Sequence, residues 1–100
     1  MLHRIALALL MIGPAVPAAA FTCTVSPDQS TVTVKTSNPA PRPRICTVDC
    51  RFETPDGPLV MSCTQLIPGG ANDWYVCVRS TGGRALRVSP DGGSEQCVDR

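Results

Sequence analysis

The sequence predicts an all-β fold, a small disulfide-stapled β-sandwich that follows a cleaved leader. Three observations predict it. An apolar segment opens the 100-residue chain, all six cysteines fall beyond that segment, and the remainder alternates in short runs bounded by turn residues. Helical periodicity is nearly absent, because Pro or Gly interrupts every candidate stretch of ten or more residues.

The leader comes first. Met1-Leu2-His3-Arg4 carries one fixed positive charge, and Ile5 to Ile12 is an unbroken apolar run. A membrane-spanning helix needs roughly 20 apolar residues, and here Gly13, Pro14 and Pro17 break the chain just after the run. Ala18-Ala19-Ala20 then offers the small residues that a signal peptidase reads. The expectation is a signal peptide over residues 1–20, a domain over residues 21–100 and Phe21 as the new N-terminus. Cys23 lies near the cleavage point, but Phe21 and Thr22 before it are not the small residues a lipidation signal wants, and lipidation would leave an odd cysteine count. No later apolar run is long enough for a membrane span, so the expected destination is the periplasm or the medium. The preference for Arg over Lys, with abundant Ala, hints at a GC-rich bacterial genome.

Removing the leader subtracts Arg4 from the nine basic residues and leaves eight, opposed by eight acidic ones. A neutral domain has no electrostatic footprint for nucleic acid, which requires a clustered basic surface. The 80 residues left make one small domain, whose core supplies roughly 3 to 5 kcal/mol after chain entropy is counted. Staples are therefore expected. Cys23, Cys46, Cys50, Cys63, Cys77 and Cys97 read as three structural disulfides, each contributing about 2 to 4 kcal/mol.

The elements follow in order. Ser30 to Thr36 alternates strictly and is β-branched, the pattern of a half-buried strand. Asn38-Pro39-Ala40-Pro41-Arg42-Pro43 forbids helix and central strand alike and predicts an extended connection. From Arg44 to Thr54, Cys46, Val48, Cys50 and Phe52 share one face of a long strand. Pro55-Asp56-Gly57-Pro58 is a turn, and Leu59 to Ile67 is the returning strand. With a four-residue loop, Thr54 faces Leu59 and Cys50 faces Cys63, close enough for a disulfide.

Pro68 to Asp73 is a loop, and Trp74 to Arg79 has the content of a central strand. Cys77 alternates away from Trp74 there, which predicts cover on both faces. Thr81-Gly82-Gly83 leads into a short strand at Ala85 to Val88, and Ser89 to Gly93 turns the chain again into Glu95 to Val98. This spacing of strands and turns suits a sandwich or a partly open barrel. The proposed pairing joins Cys50 to Cys63, Cys46 to Cys77 and Cys23 to Cys97.

The order from Thr31 to Val78, with Asn38, a long strand ending at Phe52, Asp56-Gly57, Pro68-Gly69 and an aromatic strand, resembles the small bacterial immunoglobulin-like β-sandwiches of the FxLYD type. The Phe-x-Leu-Tyr-Asp signature itself is not present. The resemblance implies an immunoglobulin-like sandwich in an extracytoplasmic protein and carries no catalytic residue.

The chemistry excluded is informative. Beyond the leader there is no histidine, so no Ser-His or Cys-His pair exists. Asp49 and Glu53 share a strand face but stand about 13 Å apart, too far for paired carboxylate work. Cys46, Cys50, Cys63 and Cys77 could supply four thiolates, yet the spacing is not that of a zinc knuckle and export favours disulfides. No Cys-x-x-Cys pair is present. The reading is a non-enzymatic domain without cofactor or metal, acting as a binding or cell-envelope accessory protein on a protein or glycan partner. Its candidate binding residues are Arg42, Arg44, Trp74 and Tyr75, while Arg79, Arg84 and Arg87 flank one turn as a conceivable anion patch. The alternative is a small secreted inhibitor or effector that presents one exposed loop, Pro39 to Pro43 or Pro68 to Asp73.

Overall fold

In a computed structural model of the chain, residues 21–100 are described, and the predicted signal peptide lies outside them. Six strands form: β1 (Thr22–Val25), β2 (Thr31–Thr36), β3 (Arg44–Thr54), β4 (Gly57–Ile67), β5 (Trp74–Ser80) and β6 (Arg87–Asp99). They make two antiparallel three-stranded sheets, ordered β1-β2-β5 and β4-β3-β6. The fold is all-β, and no helix among the described residues is long and apolar enough to cross a membrane.

Alternation builds the core. Val32, Val34 and Thr36 are buried along β2 while their neighbours stay half-exposed, and Cys46, Val48, Cys50 and Phe52 are fully buried along β3. Cys63 and Ile67 of β4, Val76 of β5 and Leu86 complete the apolar interior. This is the one-face-in pattern expected of antiparallel sheets.

Three local expectations are corrected. The β3–β4 loop has two residues, Pro55 and Asp56, so Thr54 pairs with Gly57 and not with Leu59. Pro55 cannot take the positive φ of a primed turn, so Gly57 supplies the twist at φ 123°. Thr54 closes the turn by accepting from the Asp56 N–H and donating to the Gly57 carbonyl. The register moves by two residues, which keeps every side chain on its face but places Cys50 opposite Met61 and Cys63 opposite Val48.

On β5 the ladder shifts between Val34 and Lys35: Val34 pairs with Cys77 and Lys35 with Tyr75, leaving Val76 unpaired. This bulge turns consecutive residues Val76 and Cys77 toward the core. Tyr75 and Val78 stay 56% exposed, so the outer face of β5 is uncovered.

Ser89 to Gly93 does not turn the chain. A single strand β6 runs through it, with Phe52 opposite Val88 and Cys50 opposite Gly93. Ser89, Pro90, Asp91 and Gly92 thus bulge out opposite Arg51, and Asp91 meets the Arg51 guanidinium at 2.8 Å.

All six cysteines are bonded, as Cys23–Cys50, Cys46–Cys97 and Cys63–Cys77. None of the three expected pairings occurs. The corrected hairpin register takes Cys63 away from Cys50, and the neighbour of β3 opposite β4 is β6, not β5. Cys50 therefore reaches across the interior to β1, Cys63 reaches across to β5, and Cys46 bonds its direct partner in its own sheet.

The bulge at Gly93 is sterically closed, since a Cβ there would lie 1.9 Å from the Asp49 carbonyl oxygen at φ 126°. Gly93→Ala should lower stability by at least about 2 kcal/mol. At Gly92 a Cβ meets nothing, and Gly92→Ala should cost only about 1 kcal/mol, through its positive φ. Urea midpoints of the two variants check the difference.

Candidate functional site

Asn38 leaves β2 one residue after Ser37 and precedes Pro39, a sequence that starts a turn. Its side chain is buried at 1% exposure and organises one end of the molecule. The amide nitrogen donates to the carbonyls of Arg42 at 2.8 Å, Ile67 at 3.1 Å and Pro68 at 3.2 Å, while the amide oxygen accepts from the Ala40 N–H. Main-chain bonds join the same two segments: the Asn38 N–H donates to Ala71, and the Gly70 N–H donates to both Asn38 and Ala40. Gly69 packs so tightly on Pro41 that a Cβ would lie 2.2 Å from its carbonyl oxygen.

The loops Pro39–Pro43 and Pro68–Asp73, which the sequence offers as separate candidates, are one knotted platform. A single amide donates to carbonyls of both segments, and the Pro68 carbonyl also accepts from the Ala71 N–H of its own loop. Asp73 at the exit has φ 48°, and its N–H is held by Ser37 Oγ.

The candidate residues divide. Arg42 is exposed on the platform, with its carbonyl fixed from beneath by Asn38. Trp74 follows the platform directly and is 44% exposed. Tyr75 lies on the outer face of the β1-β2-β5 sheet beneath Lys35, whose Nζ is 4.8 Å from the ring centroid. Arg44 begins β3 in the other sheet and is paired with Asp99 at 3.1 Å. Beside it, Leu66, Ile45 and Val98 form an exposed apolar row across β4, β3 and β6.

The arginines near the Thr81 turn do not gather. Arg87 pairs with Glu53, and Arg79 donates to the Ser62 carbonyl on the edge of β4. Asp49 accepts from the Ser62 hydroxyl at 2.6 Å, so it and Glu53 each have an ordinary surface partner. Such exposed pairs contribute about 0 to 1 kcal/mol.

The opposite end is organised by Gln29, which sequence reasoning passed over. Its φ is 63°, its side-chain oxygen accepts from the Leu86 N–H, and its carbonyl accepts from the Thr81 hydroxyl. Two shallow hollows flank it, one bordered by Asp28, Thr81 and Arg84 and one by Glu53, Pro55 and Arg87. The hydroxyls of Ser26 and Ser30 hold the Asp28 carboxyl below its ordinary value. These bonds close the Ser26–Ser30 turn upon itself.

Among the described residues one cluster combines metal-ligand atom types: Cys46, Glu95 and Cys97, whose sulfurs and a carboxylate oxygen lie within 4.8 Å of one another. Both sulfurs belong to one disulfide, so the cluster offers no thiolate pair. Compared with known proteins, the chain matches no family model, no curated protein and no solved structure.

Asn38→Ala should cost about 2 to 3 kcal/mol, because buried carbonyls lose their donor. Amide exchange at Ala40, Gly70 and Ala71 should accelerate in that variant while the β3 amides remain protected.

Proposed function

We propose that this chain is an exported, non-enzymatic binding module whose working surface is the Asn38 platform and whose partner is a protein. The observation that carries the reading is the knot itself. Two loops are held from inside by one buried amide, and they leave Arg42 and Trp74 exposed. Preorganised loops lose little entropy on association, and Trp and Arg are the side chains most enriched where binding energy concentrates.

Three disulfides in so small a domain suit an oxidising, extracellular setting. Together with the leader, they support release to the periplasm or the medium. The strand order supports the immunoglobulin-like reading, since β1-β2-β5 and β4-β3-β6 correspond in sequence to strands A-B-E and C′-C-F of that architecture. No disulfide links β2 to β6, where antibody domains carry theirs. An inhibitor or effector is the second reading. It draws on the same backbone lock, because a loop held rigid from beneath is what an enzyme-blocking segment requires.

A photo-crosslinking residue placed at Trp74, with a second chain carrying it at Arg84 at the far end, tests the proposal in the exported fraction of the producing cell. Trp74 should yield a discrete protein adduct and Arg84 none, and the captured partner should bind Arg42→Ala about tenfold or more weakly. An adduct that is an enzyme losing activity would select the inhibitor reading. Equal adducts from both positions, or none, would remove the platform from the account.

A further inference from the structure

Two of the disulfides hold the sheets to each other, whereas Cys46–Cys97 joins directly opposed residues of neighbouring strands. The Cα separations reflect this: 4.0 Å for Cys46–Cys97 against 6.0 and 6.1 Å for the pairs that span the interior. The β3–β6 ladder runs on both sides of the bond, from Arg44–Asp99 to Cys50–Gly93. Opening it leaves the two sulfurs side by side, because the backbone ladder already fixes their positions.

The two sulfurs differ in access. Cys46 is fully buried in the central strand, whereas Cys97 is half-buried on β6, an edge strand of its sheet. Glu95 lies two residues before Cys97 and pairs with buried Val48, which puts its side chain on the inner face. A carboxylate on an inner face needs a hydrogen-bond partner there. Thr36, from the opposite sheet, donates its hydroxyl to Glu95 Oε2. A carboxylate oxygen and both cysteine sulfurs thus lie within 4.8 Å of one another.

We propose that Cys46–Cys97, with Glu95 beside it, is a thiol–disulfide exchange site that reacts with a low-molecular-weight or protein thiol. Glu95 takes the proton of the incoming thiol, and the resulting thiolate attacks Cys97 Sγ. The Cys46–Cys97 bond breaks as the mixed disulfide to Cys97 forms. Cys46 leaves as a thiolate and receives the proton from Glu95. A second thiol then releases the adduct as an external disulfide and leaves Cys97 reduced. Cys46 is fully buried, so its departing sulfur takes its proton from Glu95 beside it and not from solvent. Sequence inspection misses this pair because the residues stand 51 positions apart and lack the Cys-x-x-Cys spacing.

The test exposes the disulfide-bonded protein, under native conditions, to reduced glutathione. Rapid alkylation and peptide mass mapping then follow each cysteine. Cys46 should be alkylated first and Cys97 should carry the glutathione adduct, while Cys23–Cys50 and Cys63–Cys77 stay closed. Glu95→Gln should slow the reaction by about 100-fold, and Glu95→Asp should recover much of it. The proposal is overturned if either sheet-to-sheet disulfide opens first, if the adduct forms on Cys46, or if Glu95→Gln reacts at the wild-type rate. The order of opening in the wild-type chain decides the matter even where a variant does not fold.

Discussion

The covalent closure between the two sheets is the constraint on which the rest of this structure depends. The interior is small: Phe52 is its only fully buried aromatic among the described residues, and valine and cysteine fill most of the remainder. Cys23–Cys50 ties edge strand β1 to the centre of the opposite sheet, and Cys63–Cys77 ties edge strand β4 to edge strand β5. With sequence separations of 27 and 14, each bond removes roughly 3 kcal/mol or slightly more of unfolded-chain entropy. A core of this size gains about as much from all its packing.

With the sheets so closed, the two ends become different surfaces. At one end Asn38 gathers carbonyls from both loops, and the result is a platform with Arg42 and Trp74 exposed. At the other, Gln29 bridges the β1–β2 turn to the connection before β6 and leaves shallow hollows beside it. The three salt bridges among the described residues join solvent-accessible side chains of β3 and β6 without setting either arrangement. A polar side chain that ties two loops together does more here than any charge.

The period-2 alternation made most strands legible, because a strand with one buried face must write that face into every second residue. The faces of Val32-Val34-Thr36 and Cys46-Val48-Cys50-Phe52 are as the alternation predicts. What alternation cannot carry is register and bulges. A two-residue slip in the β3–β4 hairpin leaves every face unchanged yet moves Cys63 from Cys50 to Val48, and the disulfide pairing changes with it. Pro90-Asp91-Gly92 has the composition of a turn, but with flanking residues already paired to β3 it is accommodated as a bulge inside β6. Of the candidate surface, Arg42 and the two loops were legible as exposed chemistry. Their union was not, because it depends on bonds between residues some 30 positions apart. An Asn before Pro at the end of a strand was the one local signal of the hub.

The most direct measurement is a disulfide map of the protein, purified without reductant, by non-reducing digestion and mass spectrometry. Peptides joined as Cys23–Cys50, Cys46–Cys97 and Cys63–Cys77 are expected, with no free thiol. A Cys50–Cys63 peptide would restore the hairpin staple and contradict the sheet-to-sheet closure, as would any link from Cys46 to Cys77.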